Sequence, residues 1–447
     1  MVKNVKNPNG IYDVIIVGAG FAGITASREL SNHGFKTLIL EGRDRIGGRT
    51  WTDNRLGKDI EMGGTWVHWT QPHVWTEIMR YGLELTTTPI ENGYWFEGGK
   101  MKKGKARDFY GHIGKALTFF LEESRKHIPF PYKPLSSPTL EEVDKLSIND
   151  RLNQLNLPPD VFDNLKTFWE IAFSSTTEEA GYSTALHWMS LAMHDWVLLL
   201  ETLGKFRLEN GTKSLIESIA SDSSADIQFS KKVSRIEKEG DMYKVYTAEN
   251  ERFIAKTVIT TLPTNILNTI IFEPVLSELK QMAGAEGQTS RGMKYFARLR
   301  GQYESFAAYA PSGSLISLCQ TYGEVDGDTI VVGFGPDASL LDPNDLPAIQ
   351  NELRRWFPEV EVVECTGHNW VEDEFSGQTW NMPKRNQKIK YMAELQRPEQ
   401  GVFLAGCDYA SGWPGMMDGA IESGLVVSRK VQEYLKSEST KLIKQSK

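Results

Sequence analysis

The first apolar run of the chain, residues 14–17, has the length and continuity of a strand buried on both faces. A helical pattern follows through Leu30, and a second apolar run spans 36–40. Strand, helix and strand in this order predict a parallel β-α-β unit. From about 94 to 203 the pattern turns helical, with helices expected at 113–127, 148–155, 159–172 and 183–203. A proline-rich break at 128–134 divides the first from the rest. Short strands at 227–229, 233–237 and 242–247 read as a small β-meander, and a buried strand follows within 256–263. The remainder alternates. A strand opens at Lys294, another runs over 329–334, a helix over 345–357 and a strand over 360–366, and a last strand and helix begin at 401. The class is α/β, with an α+β portion.

Glycines at the first strand-to-helix junction say what the β-α-β unit holds. Gly18, Gly20 and Gly23 form G-x-G-x-x-G, with Phe21 and Ala22 inside it. Gly18 permits the tight turn, Gly20 leaves no Cβ between backbone and a pyrophosphate, and Gly23 lets helix and strand approach. The helix start offers free N–H groups and a positive dipole end to phosphate. Glu41 follows the second strand, eighteen positions after Gly23, where a carboxylate can accept from ribose hydroxyls. An acid there disfavours a 2′-phosphate, which leaves NAD and FAD open. Gly42, Arg43, Gly48 and Arg49 belong to a glycine- and arginine-rich loop suited to a second anionic contact. Gly63 and Gly64, before Thr65 and Trp66, would let backbone approach a flat ring. Near the C-terminus a strand ends in Gly406 and Asp408, and a helix starts near Met417, giving a second anion- or carbonyl-polarising element. These signals stop between 94 and 203 and resume near 206. We therefore expect a Rossmann-type domain from 1–88, 206–290 and 392–447, and a discontinuous second domain from 89–205 and 291–391.

Composition narrows the function. The 447 residues are 40% hydrophobic and 24% charged, as in an ordinary globular protein. The net charge of −8 provides no basic field for nucleic acid. Cys319, Cys365 and Cys407 are widely spaced and read as free buried thiols, which points to the cytoplasm. Residues 1–10 and the lysine-rich stretch 437–447 are polar, and no run of eighteen apolar residues exists, so neither signal peptide nor membrane anchor is expected. No metal constellation and no Ser-His-Asp order emerges. His187 and His194, seven apart on one expected helix, read as packing residues.

The G-x-G-x-x-G segment, Glu41, Arg45-Ile-Gly-Gly-Arg49 and Gly63-Gly64 together resemble the flavin amine oxidase family. That family holds monoamine, polyamine and L-amino-acid oxidases. Residues 63–75 are most similar to its branch of bacterial nicotine oxidases and 6-hydroxynicotine oxidase. The resemblance covers nearly the whole chain and implies the two-domain, monoamine oxidase-like fold with FAD. It implies backbone contacts from Val233 to adenine, closure of 260–263 over the dinucleotide, Asp408 near the ribityl and phosphate groups, and the Met417 N–H at the pyrimidine carbonyl. It places Lys294 one water from flavin N5. Trp380 and Met416 match the two positions that face the substrate, where monoamine oxidases carry two aromatics. Trp66 and Trp413 would complete the substrate pocket. Covalent members bind flavin through a cysteine where Thr379 stands, so FAD is expected to be non-covalent.

The implied reaction oxidises an amine C–N bond to an imine by hydride transfer to flavin N5. Dioxygen, or another acceptor, takes the electrons and yields hydrogen peroxide, and water hydrolyses the imine. The expected substrate is an aromatic or cyclic amine, foremost a nicotine-like alkaloid, and a homodimer is one candidate assembly. Alternatives are an arylalkyl monoamine oxidase, a polyamine oxidase needing a tunnel of Asp and Glu, or an L-amino-acid oxidase with Arg207 as carboxylate clamp. A non-enzymatic alternative is a binding protein like the GDP-dissociation inhibitors.

Overall fold

The computed structural model describes residues 10–445, with side chains through 438. The polar leader at 1–9 lies outside the described residues, as does the end of the lysine-rich tail. The strand Ile11–Val17 forms the middle of an eight-stranded sheet, pairing in parallel with Thr37–Leu40 on one side and Arg252–Thr260 on the other. Val14, Ile15 and Ile16 are fully buried, as their uninterrupted apolar run requires. Helices Phe21–Asn32 and Met417–Gln445 pack together over one face, where Ile24, Ile421 and Val427 meet Val14 and Ile16. Val402–Leu404 also pairs in parallel with Arg252–Thr260, so the Gly406 turn emerges at the same sheet edge as the Gly18 turn.

A seven-stranded sheet runs Val362–Gly367, Met293–Leu299, Asp328–Gly335, Leu318–Val325, Phe306–Tyr309, Asn92–Glu97 and Lys100–Lys105. Its Asn92–Glu97 strand joins Phe306–Tyr309 in parallel, bringing together stretches far apart in sequence. Helices Ala106–Leu121, Pro159–Phe173 and Tyr182–Leu191 stack against it around Phe109, Phe120, Trp169, Phe173 and Trp188.

Two expectations need correction. The single helix at 183–203 is two, Tyr182–Leu191 and Trp196–Gly204. Met193 and His194 take positive φ of 57° and 61°, and Asp195 caps the second helix by accepting from the Val197 and Leu198 N–H groups. His187 and His194 therefore do not share a helical face. His187 bonds the Pro131 carbonyl at 2.7 Å, and His194 bonds Ser124 at 2.8 Å. The expected meander also loses its first strand. Asp226–Gln228 extends the parallel edge beside Thr37–Leu40, and the meander is Val233–Glu239, Met242–Thr247 and Arg252–Thr260.

Candidate active site

The glycines of the first turn are demanded by packing. Gly18 has φ of 104°, and a Cβ on it would stand 2.3 Å from Thr261 Oγ1. A Cβ on Gly23 would stand 2.1 Å from the Gly18 carbonyl oxygen, so Gly23 supports the turn from behind and does not line the cavity in front of it. The buried Glu41 carboxylate reaches across this turn, accepting from the Ala19 N–H at 2.6 Å and the Arg43 N–H at 2.8 Å. That clamp fixes the loop and leaves the acid at the cavity edge.

One continuous cavity runs from the turn toward Trp380 and Met416. Gly18, Gly20, Phe21, Ala22, Glu41, Gly42, Arg43, Gly48 and Arg49 line its first part, joined by Val233 and by Thr261, Leu262 and Pro263. Gly63, Gly64, Thr65 and Trp66 border it further along, followed by Lys294, Trp380, Met416 and Met417. Met417 begins the long C-terminal helix, whose first amides lack intrahelical partners and face the same end. Thr379, and not a cysteine, precedes Trp380 on the wall.

Two residues expected at the site stand behind the wall. Asp408 does not line the cavity. Its carboxylate accepts from Arg49 Nη2 at 2.6 Å, the Thr264 N–H at 2.9 Å, Thr264 Oγ1 at 3.0 Å and Gln378 Nε2 at 2.8 Å. Burial alone would raise its pKa, but the adjacent Arg49 guanidinium and the Thr264 N–H outweigh that and hold it below the ordinary carboxylate range. Asp408 thus anchors Arg49, and Arg49 faces the cavity. Trp413 is fully buried in the helical core, donating to the Thr70 carbonyl at 2.8 Å, and is likewise absent from the lining. Of the tryptophans at 66, 69 and 75, Trp66 alone lines the cavity; Trp69 is 47% exposed and packs edge-on to Trp75. Arg207 is also off the wall, stacked on Tyr322 and bonded to Thr88 at 2.6 Å.

Lys294 sits where the Gly63–Gly64 loop approaches the cavity. Its ammonium donates to the Glu61 carbonyl at 2.6 Å, the Gly63 carbonyl at 2.9 Å and Thr65 Oγ1 at 2.6 Å. Burial lowers its pKa to about 7. The ring faces of Trp66 and Phe334 lie within 6.0 Å of the same nitrogen. Trp380 donates to the Phe173 carbonyl at 3.2 Å, which fixes its ring against Trp188. Sequence reasoning missed Gln71, Ser174, Thr202, Leu203 and Phe334 on this end of the wall. Gln71 lies inside the run 63–75, but a lone glutamine carries no motif. The two lining carboxylates, Glu41 and Glu374, both belong to the other end; Glu374 stands beside Phe375 and pairs with Lys232 at 2.6 Å.

A glycine cradle, a helix N-terminus at each end, an acid at the first strand end and an aromatic far wall fit a flavin dinucleotide laid along the cavity. The family of flavin containing amine oxidoreductases matches residues 21–432, and the chain belongs to it. The chain is similar to a pseudooxynicotine dehydrogenase of Pseudomonas sp, with 34% identity over 96% of this chain and 88% of the relative. It is 32% identical to a nicotine dehydrogenase of Pseudomonas putida, over 95% and 89% of the two chains. It is 28% identical to the (S)-6-hydroxynicotine oxidase of Paenarthrobacter nicotinovorans, over 92% and 97%. Among solved structures, putrescine oxidase bound to putrescine superposes with a TM-score of 0.83 at 18% identity, covering 96% and 99%. Cyclohexylamine oxidase from Brevibacterium oxydans gives 0.80 at 18%, covering 96% and 100%. The fold is that of these monoamine oxidase-like enzymes. The protein is an FAD-dependent oxidoreductase acting on amines, which sets aside the binding-protein alternative. Among the described residues no helix is long and apolar enough to cross a membrane, and no group of three or more His, Cys, Asp or Glu is placed to hold a metal.

Proposed function

We propose that this enzyme oxidises the C–N bond of an aromatic or cyclic amine, with a nicotine-like alkaloid as the preferred class. One observation carries the substrate reading. Around Trp380 and Met416 the wall combines Trp66, Phe334, Leu203 and the Met416 thioether with the uncharged Gln71, Ser174 and Thr202 and with Lys294, and it carries no Asp or Glu among the described residues. Such a wall disfavours an ammonium and favours a neutral amine. A polyamine would find no carboxylate there, and an amino acid would find no free arginine. The names of the nicotine-related relatives support the same class.

FAD, when bound, supplies the hydride acceptor and passes electrons on to dioxygen, giving hydrogen peroxide. The chain's own work is placement. The Gly18–Gly23 turn, Glu41, Arg43, Arg49 and Val233 hold the nucleotide. Gly63, Gly64 and the Met417 amide border the ring system, and Lys294 organises that loop beside the reacting edge. Trp66, Trp380 and Met416 orient the amine and exclude bulk water. With Thr379 at the attachment position we assign a non-covalent FAD. Because Met416 replaces one of two aromatics, the pocket suits a bulkier, secondary or cyclic amine better than a slim arylalkyl one. Two relatives are named dehydrogenases, so peroxide yield against reduction of an artificial acceptor tests the dioxygen assignment.

We assign residues 1–88, 206–290 and 392–447 to the FAD-binding domain and 89–205 and 291–391 to the substrate domain. Every strand of the eight-stranded sheet falls in the first set and every strand of the seven-stranded sheet in the second, which supports the division. The three free cysteines suit a reducing compartment, and we place the enzyme in the cytoplasm. Anaerobic reduction of the flavin by a panel of amines tests the central reading.

A further inference from the structure

Gln71 is 2% exposed, lines the cavity and has a fixed amide orientation. Its Oε1 accepts from the His68 N–H at 3.0 Å, so the oxygen faces the loop and the NH2 group must face the other way. There its partner is Met416 Sδ at 3.0 Å. A thioether is a weak acceptor, and an amide NH2 carries two hydrogens. Among the described residues Gln71 Nε2 has no other partner. A strong donor is thus buried beside the substrate wall with most of its capacity unused, a costly arrangement unless something else accepts from it.

Trp380, Lys294 and Thr202, on the same end of the wall, are already engaged. Trp380 donates to the Phe173 carbonyl, and the Lys294 ammonium to three oxygens. Thr202 donates to the Leu198 carbonyl at 2.8 Å and shares a bond of 2.8 Å with Thr70. Gln71 is also held rigidly. It precedes helix Pro72–Arg80, whose His73 and Val74 N–H groups donate to Asp418 at 2.7 and 2.9 Å, and Asp418 stands in the first turn of the helix that starts at Met417. Gln71 and Met416 are therefore fixed against each other across one helix junction.

We propose that Gln71 is a specificity-determining residue that donates a hydrogen bond to an acceptor atom on the substrate, and that the enzyme selects amines carrying an aza-ring nitrogen or a carbonyl. The inference rests on the amine-oxidising reading above. A buried donor left unpaired by an analogue without the acceptor costs enough to discriminate by roughly tenfold or more.

The test compares (S)-nicotine with its phenyl counterpart, 1-methyl-2-phenylpyrrolidine, in anaerobic flavin reduction by wild type and by Gln71→Leu. The expected result is a wild-type preference for the pyridyl amine of roughly tenfold or more that falls to near unity in the variant. Equal efficiency with both amines in the wild type overturns the inference on its own, whether or not the variant folds. So does a variant that loses both amines in equal proportion, since that marks Gln71 as a structural tie to Met416. Flavin left oxidised by both amines in the wild type overturns this inference; bleaching of the same enzyme by benzylamine or tyramine then leaves the amine-oxidising reading standing, and no bleaching by any amine overturns both.

Discussion

Arg49 Nη2 lies 2.6 Å from Asp408 Oδ1, which ties the arginine loop after the first β-α-β unit to the strand end that leads into the C-terminal helix. Arg49 also donates to the Thr379 carbonyl at 2.8 Å, so one guanidinium links three separate parts of the chain around the cavity. Asp408→Ala would strand that buried cation and release the Thr264 and Gln378 donors. Breaking a buried pair from one side costs about 3–5 kcal/mol. We expect lowered unfolding stability and loss of FAD on gel filtration, read by flavin fluorescence. The pH sign follows from the depressed carboxyl. Its contribution is present above the ordinary carboxylate pKa and is lost as pH falls through the lower folded value. The variant should therefore show a weaker acid-side loss of stability than wild type.

Lys294→Met removes three donors from the loop at Glu61, Gly63 and Thr65 while leaving the Gly18 turn intact. Flavin reduction or reoxidation should slow by at least about tenfold, the range of a lost positioned polar group, with FAD still bound. Burial puts the lysine pKa near 7, below its unfolded value of about 10.4. Between those values the unfolded chain binds more protons, so this residue's contribution to stability rises with pH across that window. Denaturation midpoints at pH 7 and 10 should show that rise in wild type and a smaller one in the variant. FAD loss at neutral pH would assign Lys294 a purely structural role.

Arg28 and Glu77 form a bidentate buried pair, Nη1 to Oε2 at 2.6 Å and Nη2 to Oε1 at 2.7 Å, joining helix Phe21–Asn32 to helix Pro72–Arg80. Neither residue lines the cavity. Glu77→Ala should cost about 3–5 kcal/mol in chemical denaturation, and Arg28→Met with Glu77→Leu should recover much of it. Equal destabilisation in the single and double variants would contradict the buried-charge account.

The glycine turn was legible because phosphate-binding loops constrain backbone, and glycine advertises that constraint in sequence. The sheet partners of Asp226–Gln228 were not, since pairing to Thr37–Leu40 is a long-range choice that three residues cannot encode. The break at 192–195 was hidden because apolar periodicity runs through it and the positive-φ residues are Met193 and His194, not glycine. Resemblance placed Asp408 and Trp413 near the flavin but could not say which side of the wall they occupy. Asp408 is turned inward by donors from Arg49, Thr264 and Gln378, and Trp413 by the Thr70 carbonyl. Gln71 gave no signal, because its significance comes from Met416, 345 positions away.

Met416→Tyr would restore an aromatic at the second substrate-facing position and remove the sulfur that Gln71 now contacts. A rebuilt flat slot should favour slim arylalkyl amines. We expect kcat/KM for benzylamine or tyramine to rise relative to a cyclic tertiary amine on the order of tenfold, the scale of one altered apolar contact. An unchanged ratio would separate Met416 from substrate choice.

The central claim is that the Trp380–Met416 end of the cavity delivers a cyclic or aromatic amine to FAD. Anaerobic mixing of the holoenzyme with (S)-nicotine, benzylamine, tyramine, putrescine and an L-amino acid, followed by flavin absorbance, tests it most directly. The account predicts rapid bleaching by the cyclic alkaloid and slow or no bleaching by putrescine and the amino acid. Bleaching by putrescine or the amino acid alone, or by none of the amines, would contradict it.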